Sequence, residues 1–318
     1  MHMRSMMALA CFWLLLAMPG ASPGVAQGLV PQKGQAQKGQ EEAPHGTESR
    51  FFRASDGTRL HYLEAGPQKA GPQSPQAATA PTLVLVPGWT MPAWIFSRQI
   101  AEFSRQYRVI AFDPRGQGES EIARGGYDHI RRSQDISDLI ERLGPRPVTL
   151  LAWSLGVLEA LAYVHVHGDS HLAGLVLVDN SVGEEPPPTL GTHRRGPKLP
   201  RAQEMRNFVH GMFFRPQSPA YLDRLTEAAL RVPEPASRAL LAYPVPRSYW
   251  REAIYATTKP VLYIVRPKFS GQAKNLANNH PTAETVVLGN NVGHALFVDD
   301  AARFDALVQD FLRRKIWR

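Results

Sequence analysis

The chain has 318 residues, enough for one large domain or two small ones. Hydrophobic residues make up 43% of it and charged residues 20%, which is typical of a folded globular protein and excludes a largely disordered one. The net charge is +8 at pH 7, but no helix-turn-helix, zinc-finger or aromatic nucleotide-binding motif accompanies it, so we expect no nucleic-acid partner. We interpret the densest basic run as a solvated face; it contains Arg194, Arg195, Lys198 and Arg201.

The N-terminus has the pattern of a secretory signal peptide, predicted over residues 1–26. A basic start ending at Arg4 precedes the apolar run Met7 to Met18, and small residues lead up to Ala26. The run is shorter than the roughly 20 residues that a membrane span needs. We therefore expect cleavage near Ala26, a secreted or periplasmic protein, and no stable membrane span afterwards. The alternative is an anchor formed by the uncleaved leader. Cys11, the only cysteine, lies in this leader, so the mature protein would have no disulfide.

The segment after the leader, residues 27–50, is of low complexity and is predicted to be a disordered linker. A hairpin is predicted next, because Asp56-Gly57 separates two apolar stretches, Phe51 to Ala54 and Leu60 to Glu64. Residues 67–81 are rich in Pro, Gln, Gly and Ala, which indicates a surface loop.

From residue 82 onward, apolar strands alternate with helical patterns. This alternation predicts an α/β fold with a mostly parallel central sheet and helices on both faces. The pattern stops at about 181–256, a stretch rich in proline, arginine and aromatic residues, and then resumes. The predicted strands are Thr82 to Val86, Arg108 to Phe112, Val148 to Ala152, Gly174 to Val178, Pro260 to Val265 and Thr285 to Leu288; the predicted helices are Trp94 to Phe103, His129 to Leu143, Leu155 to Val166 and Asp300 to Arg314.

A nucleophile elbow is predicted at Ala152-Trp153-Ser154-Leu155-Gly156, between a buried strand and a helix. Small residues two before and two after Ser154 permit the sharp turn that would lift its hydroxyl above the sheet. The start of the helix would also direct N–H groups at a developing oxyanion. The alternative is that Ser154 merely caps a core helix.

A serine hydroxyl needs a neighbouring base, and His294 is the candidate. It follows Gly293, comes after the last predicted strand and precedes the last helix. The alternative is a neutral histidine that only packs in the core.

Together these motifs resemble those of the α/β-hydrolase superfamily. The others are Val86-Pro87-Gly88-Trp89, the loop Asp113-Pro114-Arg115-Gly116-Gln117-Gly118-Glu119-Ser120, and Gly293-His294-Ala295-Leu296-Phe297. The resemblance runs from about Phe51 to Phe311 and implies one hydrolase domain over residues 51–318. It also implies that the 181–256 insertion is a helical cap over the active site and that the N–H groups of Trp89 and Leu155 form the oxyanion hole.

The sequence departs from the family pattern in the residues near the expected acid and the oxyanion hole. Pro87 replaces a common histidine, which should not remove the next N–H donor. The family usually carries its acid after the strand ending at Val265, but residues 266–282 contain neither Asp nor Glu. We predict Asp179 instead, because it ends the strand Gly174 to Val178, where members with haloalkane-dehalogenase-like architecture carry their acid. Its alternative role is that of a strand-end residue only.

Other residues are weaker candidates. Asp113 is expected to brace its glycine-rich loop, and Asp299 and Asp300 to cap the last helix, while Glu159 is a more remote acid candidate. The histidines near the end of the elbow helix lack the companions of a metal site, so we expect neither metal nor cofactor. The aromatic and Met residues of the insertion could line a substrate pocket or form its own core. The three histidines are His165, His167 and His171; the insertion residues are Phe208, Met212, Phe213, Phe214, Tyr221, Tyr243 and Trp250.

The leading functional hypothesis is a serine hydrolase that cleaves a small carboxylic ester or lactone through an acyl-enzyme. A serine at the elbow argues against dehalogenase and epoxide-hydrolase chemistry, which use aspartate there. Amidase, perhydrolase and C–C hydrolase activities remain open, as does a ligand-binding protein that keeps the fold without turnover. The oligomeric state and the substrate cannot be read from the sequence.

Overall fold

The computed structural model describes residues 44, 46–67, 80–188 and 199–317. The predicted signal peptide lies outside these residues, as do most of the predicted linker and most of the loop 67–81. Three members of the basic run, Arg194, Arg195 and Lys198, also lie outside them. Among the described residues, no helix combines the length and the apolar character that crossing a membrane requires.

Eight strands form one sheet in the order β1-β2-β4-β3-β5-β6-β7-β8. Only β2 runs against its neighbours, and every other neighbouring pair beyond it is parallel. The predicted mostly parallel α/β fold is therefore confirmed. The strands are β1 (Glu48–Arg53), β2 (Arg59–Ala65), β3 (Thr82–Val86), β4 (Arg108–Asp113), β5 (Val148–Trp153), β6 (Leu172–Val178), β7 (Val261–Val265) and β8 (Ala283–Val287).

The first hairpin turns at the predicted Asp-Gly pair. Gly57 has φ 85°, and the Ala54 N–H donates to the Thr58 carbonyl at 2.9 Å. Strand β1 begins at Glu48, inside the predicted linker. Sequence pattern missed this start because the first three residues of this edge strand, Glu48, Ser49 and Arg50, are charged or polar.

Helices cover both faces of the sheet because neighbouring strand residues point to opposite sides. In β3, Val84 and Val86 join one apolar core, whereas Leu83 and Leu85 join the other. A 3₁₀ turn, Ala93–Phe96, precedes the first helix. The helices are α1 (Ser97–Phe103), α2 (His129–Leu143), α3 (Leu155–His167), α4 (Arg201–His210), α5 (Pro219–Arg231), α6 (Glu234–Ala239), α7 (Arg247–Ala256), α8 (Ser270–Asn279), α9 (Leu296–Asp299) and α10 (Ala301–Phe311).

The segment predicted as an insertion contains helices in two kinds of surroundings. Helices α4 and α5 pack against each other. Their aromatic residues contact the region after β3: the Phe208 ring lies 4.9 Å from Trp89 and the Tyr221 ring 5.9 Å from Trp94, both edge-on. Helix α7 packs along α3, so it helps to cover the sheet itself. The part of the segment nearest the carboxyl ends of the strands is therefore α4–α5.

Candidate active site

Ser154 lies in the sharp turn between β5 and α3. Its φ of 55° and ψ of −121° are unusual for a residue with a side chain, yet its N–H still donates to the Val178 carbonyl at 2.9 Å. A Cβ on Gly156 would lie 2.6 Å from the Val86 carbonyl oxygen, so a glycine is required there. Ala152 is fully buried at the place of the first motif glycine. Ser154 stands at the N-cap position of α3, but its side chain makes no capping bond.

The Ser154 hydroxyl instead contacts His294, which in turn contacts Asp179. The distance from Ser154 Oγ to His294 Nε2 is 2.8 Å, and from His294 Nδ1 to Asp179 Oδ2 it is 2.7 Å. An ionised carboxylate can only accept, so Nδ1 donates to Asp179 and Nε2 is left to accept the serine proton. All three side chains are buried. The structure thus brings together Ser154, His294 and Asp179 in one hydrogen-bonded chain.

A residue that sequence reasoning missed, Arg266, completes the surroundings of the acid. It follows β7, where the family usually carries its acid. Its backbone N–H donates to Asp179 Oδ1 at 3.0 Å, its Nε donates to Oδ2 at 2.7 Å, and Nη2 lies 3.3 Å from His294 Nδ1. The absence of acids between residues 266 and 282 signalled an unusual loop, but it did not indicate that an arginine would bind the displaced acid.

Burial and charge set the protonation states of the pair. Burial would raise the pKa of Asp179, but the hydrogen bond from His294 and the charge of Arg266 outweigh it and hold this pKa well below its ordinary value. Burial lowers the pKa of His294 to about 4, against the hydrogen bond and charge of Asp179, and the Arg266 charge acts in the same direction as burial. At neutral pH, Asp179 is therefore ionised and His294 is a neutral base.

Backbone strain is concentrated at this site. Among the described residues, only Thr90, Ser154 and Asp179 combine a side chain with a positive φ, at 61°, 55° and 51°. Thr90 follows the carboxyl end of β3, Ser154 that of β5 and Asp179 that of β6. These three strands lie side by side in the sheet. Such conformations cost on the order of 1–3 kcal/mol each and tend to cluster where a site must be held in one geometry.

The predicted oxyanion donors lie on elements next to Ser154. Leu155 is the first residue of α3, whose first four N–H groups have no partner within the helix. The loop that carries Trp89 is close, since a Cβ on Gly88 would lie 2.9 Å from Ser154 Cβ. The Trp89 side chain is held by the insertion, because its Nε1–H donates to the Ser237 carbonyl at 2.7 Å.

The structure gives the other acids different roles. Asp113 braces its loop as predicted, accepting from the Glu119 N–H at 2.9 Å and from the Ala93 N–H. Glu159 is buried against Arg132 and not against His294.

The expectation that Asp299 and Asp300 cap the last helix is wrong for their side chains. Asp300 stands at the N-cap position of α10 without a side-chain bond. The Asp299 carboxylate turns back and accepts the N–H groups of Gly293, Phe214 and Arg215, at 2.6, 2.8 and 3.0 Å. It therefore ties the α4–α5 loop to the segment that carries His294.

The histidines near the end of α3 stack on aromatic rings. The His165 ring lies 3.9 Å from Tyr249 and the His167 ring 5.2 Å from Tyr163. Within the described part of the chain, no group of three or more potential metal-ligating side chains occurs. Of the insertion residues that could line a pocket, Phe214 is 59% exposed, while the buried ones belong to the two apolar cores; these are Phe208, Met212, Tyr221 and Trp250.

Comparison with known proteins identifies the family. A family model described as the alpha/beta hydrolase fold matches residues 81–260, more than half of the 318 residues. This chain belongs to the alpha/beta hydrolase fold family. The sharp strand-to-helix turn at Ser154, with its positive φ, has the geometry that a nucleophile elbow needs in this fold.

Among its relatives, a non-heme haloperoxidase of Rhodococcus erythropolis is 30% identical over 151 residues, 47% of this chain and 49% of that protein. The chain thus spans about half the length of that relative. A bifunctional esterase/perhydrolase of Acinetobacter calcoaceticus is 23% identical over 210 residues, 66% of this chain and 70% of that protein. The solved structure of an esterase from a Rhodococcus species superposes with a TM-score of 0.67 at 23% identity, covering 84% of this chain and 99% of that one.

Proposed function

We propose that this α/β hydrolase is a serine hydrolase that cleaves a small carboxylic ester or lactone through an acyl-enzyme. The observation that carries the proposal is the hydrogen-bonded chain from Ser154 through His294 to Asp179, at 2.8 and 2.7 Å, with the serine in the elbow. A nucleophile bonded to a base, and that base bonded to an acid that orients it, is the arrangement that acyl transfer needs.

The residues have the following roles in this proposal. Ser154 Oγ attacks the ester carbonyl carbon while its proton passes to His294 Nε2. The N–H groups of Trp89 and Leu155 stabilise the oxyanion, and Asp179 stabilises the imidazolium. The C–O bond then breaks, His294 returns the proton to the alkoxide, and the acyl group stays on Ser154. Water, deprotonated by His294, attacks the acyl-enzyme, releases the acid and restores the serine. In a lactone the alcohol and the acid are one product.

A second candidate activity uses the same residues. Relatives named as a haloperoxidase and as an esterase/perhydrolase favour perhydrolysis, in which hydrogen peroxide replaces water in the second step and the acyl group leaves as a peracid. Peracid formation that requires an ester or acid, hydrogen peroxide and Ser154 would support it. If no peracid forms under these conditions, perhydrolysis is excluded and ester hydrolysis is the one activity proposed for these residues.

We also propose that the protein is exported and cleaved near Ala26, on the strength of the leader pattern. Expression of the full chain in a Gram-negative host, followed by N-terminal sequencing of the periplasmic product, tests this. A mature N-terminus at Gln27 is expected. An intact Met1 in the membrane fraction would favour the uncleaved anchor.

The test of the main proposal is a panel of p-nitrophenyl esters and lactones on the purified protein, together with a fluorophosphonate probe. The wild-type protein should hydrolyse at least one substrate class and bind the probe covalently. Ser154→Ala should do neither. A folded wild-type protein that shows no turnover and no labelling would instead support a ligand-binding protein without catalysis.

A further inference from the structure

The loop that carries Trp89 is held by the side-chain amide of a glutamine on another loop. Gln117 is fully buried in the loop that follows β4. Its Nε2 donates to the Gly88 carbonyl at 3.1 Å and to the Met91 carbonyl at 2.9 Å, and its Oε1 accepts the Thr90 N–H at 3.2 Å. One amide group thus makes three hydrogen bonds to three residues, Gly88, Thr90 and Met91, on both sides of Trp89.

The bond from Gln117 to the Gly88 carbonyl, together with the loop's own bond from the Met91 N–H at 3.2 Å, sets the direction of the Trp89 N–H. The Gly88 carbonyl and the Trp89 N–H belong to the same peptide unit, which is planar and trans, so they point in opposite directions. Fixing the carbonyl toward Gln117 fixes the N–H on the other side. The bond to the Thr90 N–H stabilises the residue whose φ is 61°, which the loop needs in order to turn there.

The side-chain amide of Gln117 can make these hydrogen bonds in only one of its two flipped orientations. Oε1 faces two donors, the Thr90 N–H and, at 3.5 Å, Nη2 of the buried Arg132. Nε2 faces two carbonyl oxygens, which cannot donate. A flipped amide would place donors against donors and acceptors against acceptors, so the local environment determines which way Gln117 points.

The same arrangement links the elements that carry the two proposed oxyanion donors. Arg132, on α2, forms a buried ion pair with Glu159, on α3. Helix α3 begins at Leu155, and the loop held by Gln117 carries Trp89. The chain from Glu159 through Arg132 to Gln117 therefore connects the elbow helix to the oxyanion loop.

We propose that Gln117 is a positioning residue that holds the Trp89 peptide in the orientation required of an oxyanion donor. The inference rests on the proposed serine-hydrolase function. It predicts that removing the amide weakens stabilisation of the transition state while leaving ground-state binding of the ester nearly unchanged.

Gln117→Met tests this, because methionine has a similar length and makes none of the three bonds. Gln272→Met is the matched control. Gln272 is also buried, donates to the Pro186 carbonyl at 3.1 Å and accepts the Val182 N–H at 3.2 Å, but it does not contact the 88–91 loop. The probes are the p-nitrophenyl ester that the wild-type protein hydrolyses fastest and a trifluoromethyl ketone with the same acyl chain, which forms an oxyanion on addition of Ser154.

Gln117→Met should lower kcat by about 10²–10³-fold, the loss typical of one oxyanion donor. It should weaken binding of the trifluoromethyl ketone by a similar factor. KM should change by less than about threefold. Gln272→Met should lower the unfolding temperature but leave the affinity for the trifluoromethyl ketone close to that of the wild-type protein. A kcat of Gln117→Met within about threefold of wild type would overturn the inference. So would an equal loss of ketone affinity in Gln272→Met.

A second variant decides the matter if Gln117→Met does not fold. Gln117→Glu keeps the shape and one acceptor but replaces Nε2 with an oxygen that faces two carbonyl oxygens. Burial beside two carbonyl oxygens should raise the pKa of this carboxyl above its ordinary value of about 4.3. The kcat of the variant should therefore rise as the pH falls from about 8 to about 5, because the protonated carboxyl regains one donor, while the wild-type kcat stays level. A level profile in the variant with a kcat within about threefold of the wild-type value would overturn the inference. If the wild-type protein has no turnover and no probe labelling, the proposed function fails and this inference fails with it; an active wild type with an unaffected variant rejects only the inference.

Discussion

The described residues include two Ser–His–Asp chains with nearly the same hydrogen-bond distances. In one, Ser154 Oγ lies 2.8 Å from His294 Nε2, and His294 Nδ1 lies 2.7 Å from Asp179. In the other, Ser49 Oγ lies 2.8 Å from His61 Nε2, and His61 Nδ1 lies 2.7 Å from Asp113. The atoms that make the contacts are also the same, so these distances alone do not distinguish a catalytic site from a structural one.

The backbone around the two serines differs. Ser154 has a positive φ and precedes a helix, whose first N–H groups have no partner within the helix. Ser49 lies within β1, opposite Leu63 in the ladder with β2, where no helix begins. Its acid, Asp113, also accepts the N–H groups of Glu119 and Ala93 and so holds loops together. The comparison indicates that the surroundings that stabilise an oxyanion, and not the Ser–His–Asp contacts alone, define the active site.

The largest expected difference is between the two serines. Ser154→Ala should lower ester turnover by about 10⁶-fold, as loss of the nucleophile does in serine hydrolases. Ser49→Ala should keep turnover close to wild type, since we expect no chemistry at Ser49. Both are measured as kcat on the best p-nitrophenyl ester. A large loss of turnover in Ser49→Ala, with an unchanged unfolding temperature, would contradict the comparison.

The second largest difference is expected between substitutions of the two acids, Asp179 and Asp113. Asp179→Asn removes the charge that stabilises the imidazolium and is expected to lower kcat by about 10⁴-fold with the fold intact. Asp113→Asn should lower the free energy of unfolding by about 1–3 kcal/mol through weakened loop bonds, with a smaller effect on kcat. Near-normal turnover in Asp179→Asn would show that another group orients His294.

The pH dependence of kcat/KM should report the pKa of His294. His294 must be neutral to accept the serine proton, and its pKa lies at about 4, so kcat/KM should be level at neutral pH and fall as the pH drops through about 4. A midpoint near 6.5, the ordinary histidine value, would contradict the burial and charge assigned to this site.

A smaller effect is expected at Arg266. Arg266→Met removes the Nε bond to Asp179 but keeps the backbone N–H bond, so kcat should fall by about tenfold, the value of one charged hydrogen bond. Loss of the positive charge should raise the pKa of His294 and move the acid limb of the profile toward neutral pH. An unchanged limb would show that Arg266 does not influence His294.

Sequence reasoning predicted the parts of this molecule that depend on local pattern. The alternation of apolar strands and helices predicted the parallel sheet, and the small residues around Ser154 predicted the sharp turn. The resemblance to family members that carry their acid after this strand predicted Asp179, at the end of β6, as the partner of His294. Its catalytic role, like those of Ser154 and His294, stays a prediction.

The contacts that depend on side-chain direction across the fold could not be predicted. Arg266 binds Asp179 from the next strand, Gln117 reaches a loop nearly thirty positions earlier in the chain, and Asp299 turns back to the His294 segment. The second Ser–His–Asp chain was missed for the same reason. Ser49 lay in the predicted linker, and its contact with His61 depends on the register of β1 against β2.

The most direct test is to map a fluorophosphonate label by peptide mass spectrometry on the wild-type protein, in which both serines are present. The probe reports nucleophilicity and oxyanion stabilisation together. We predict one label per chain, on the peptide that contains Ser154, and none on the peptide that contains Ser49. A label on Ser49, or an active protein that carries no label on Ser154, would contradict the assignment of the active site to the elbow.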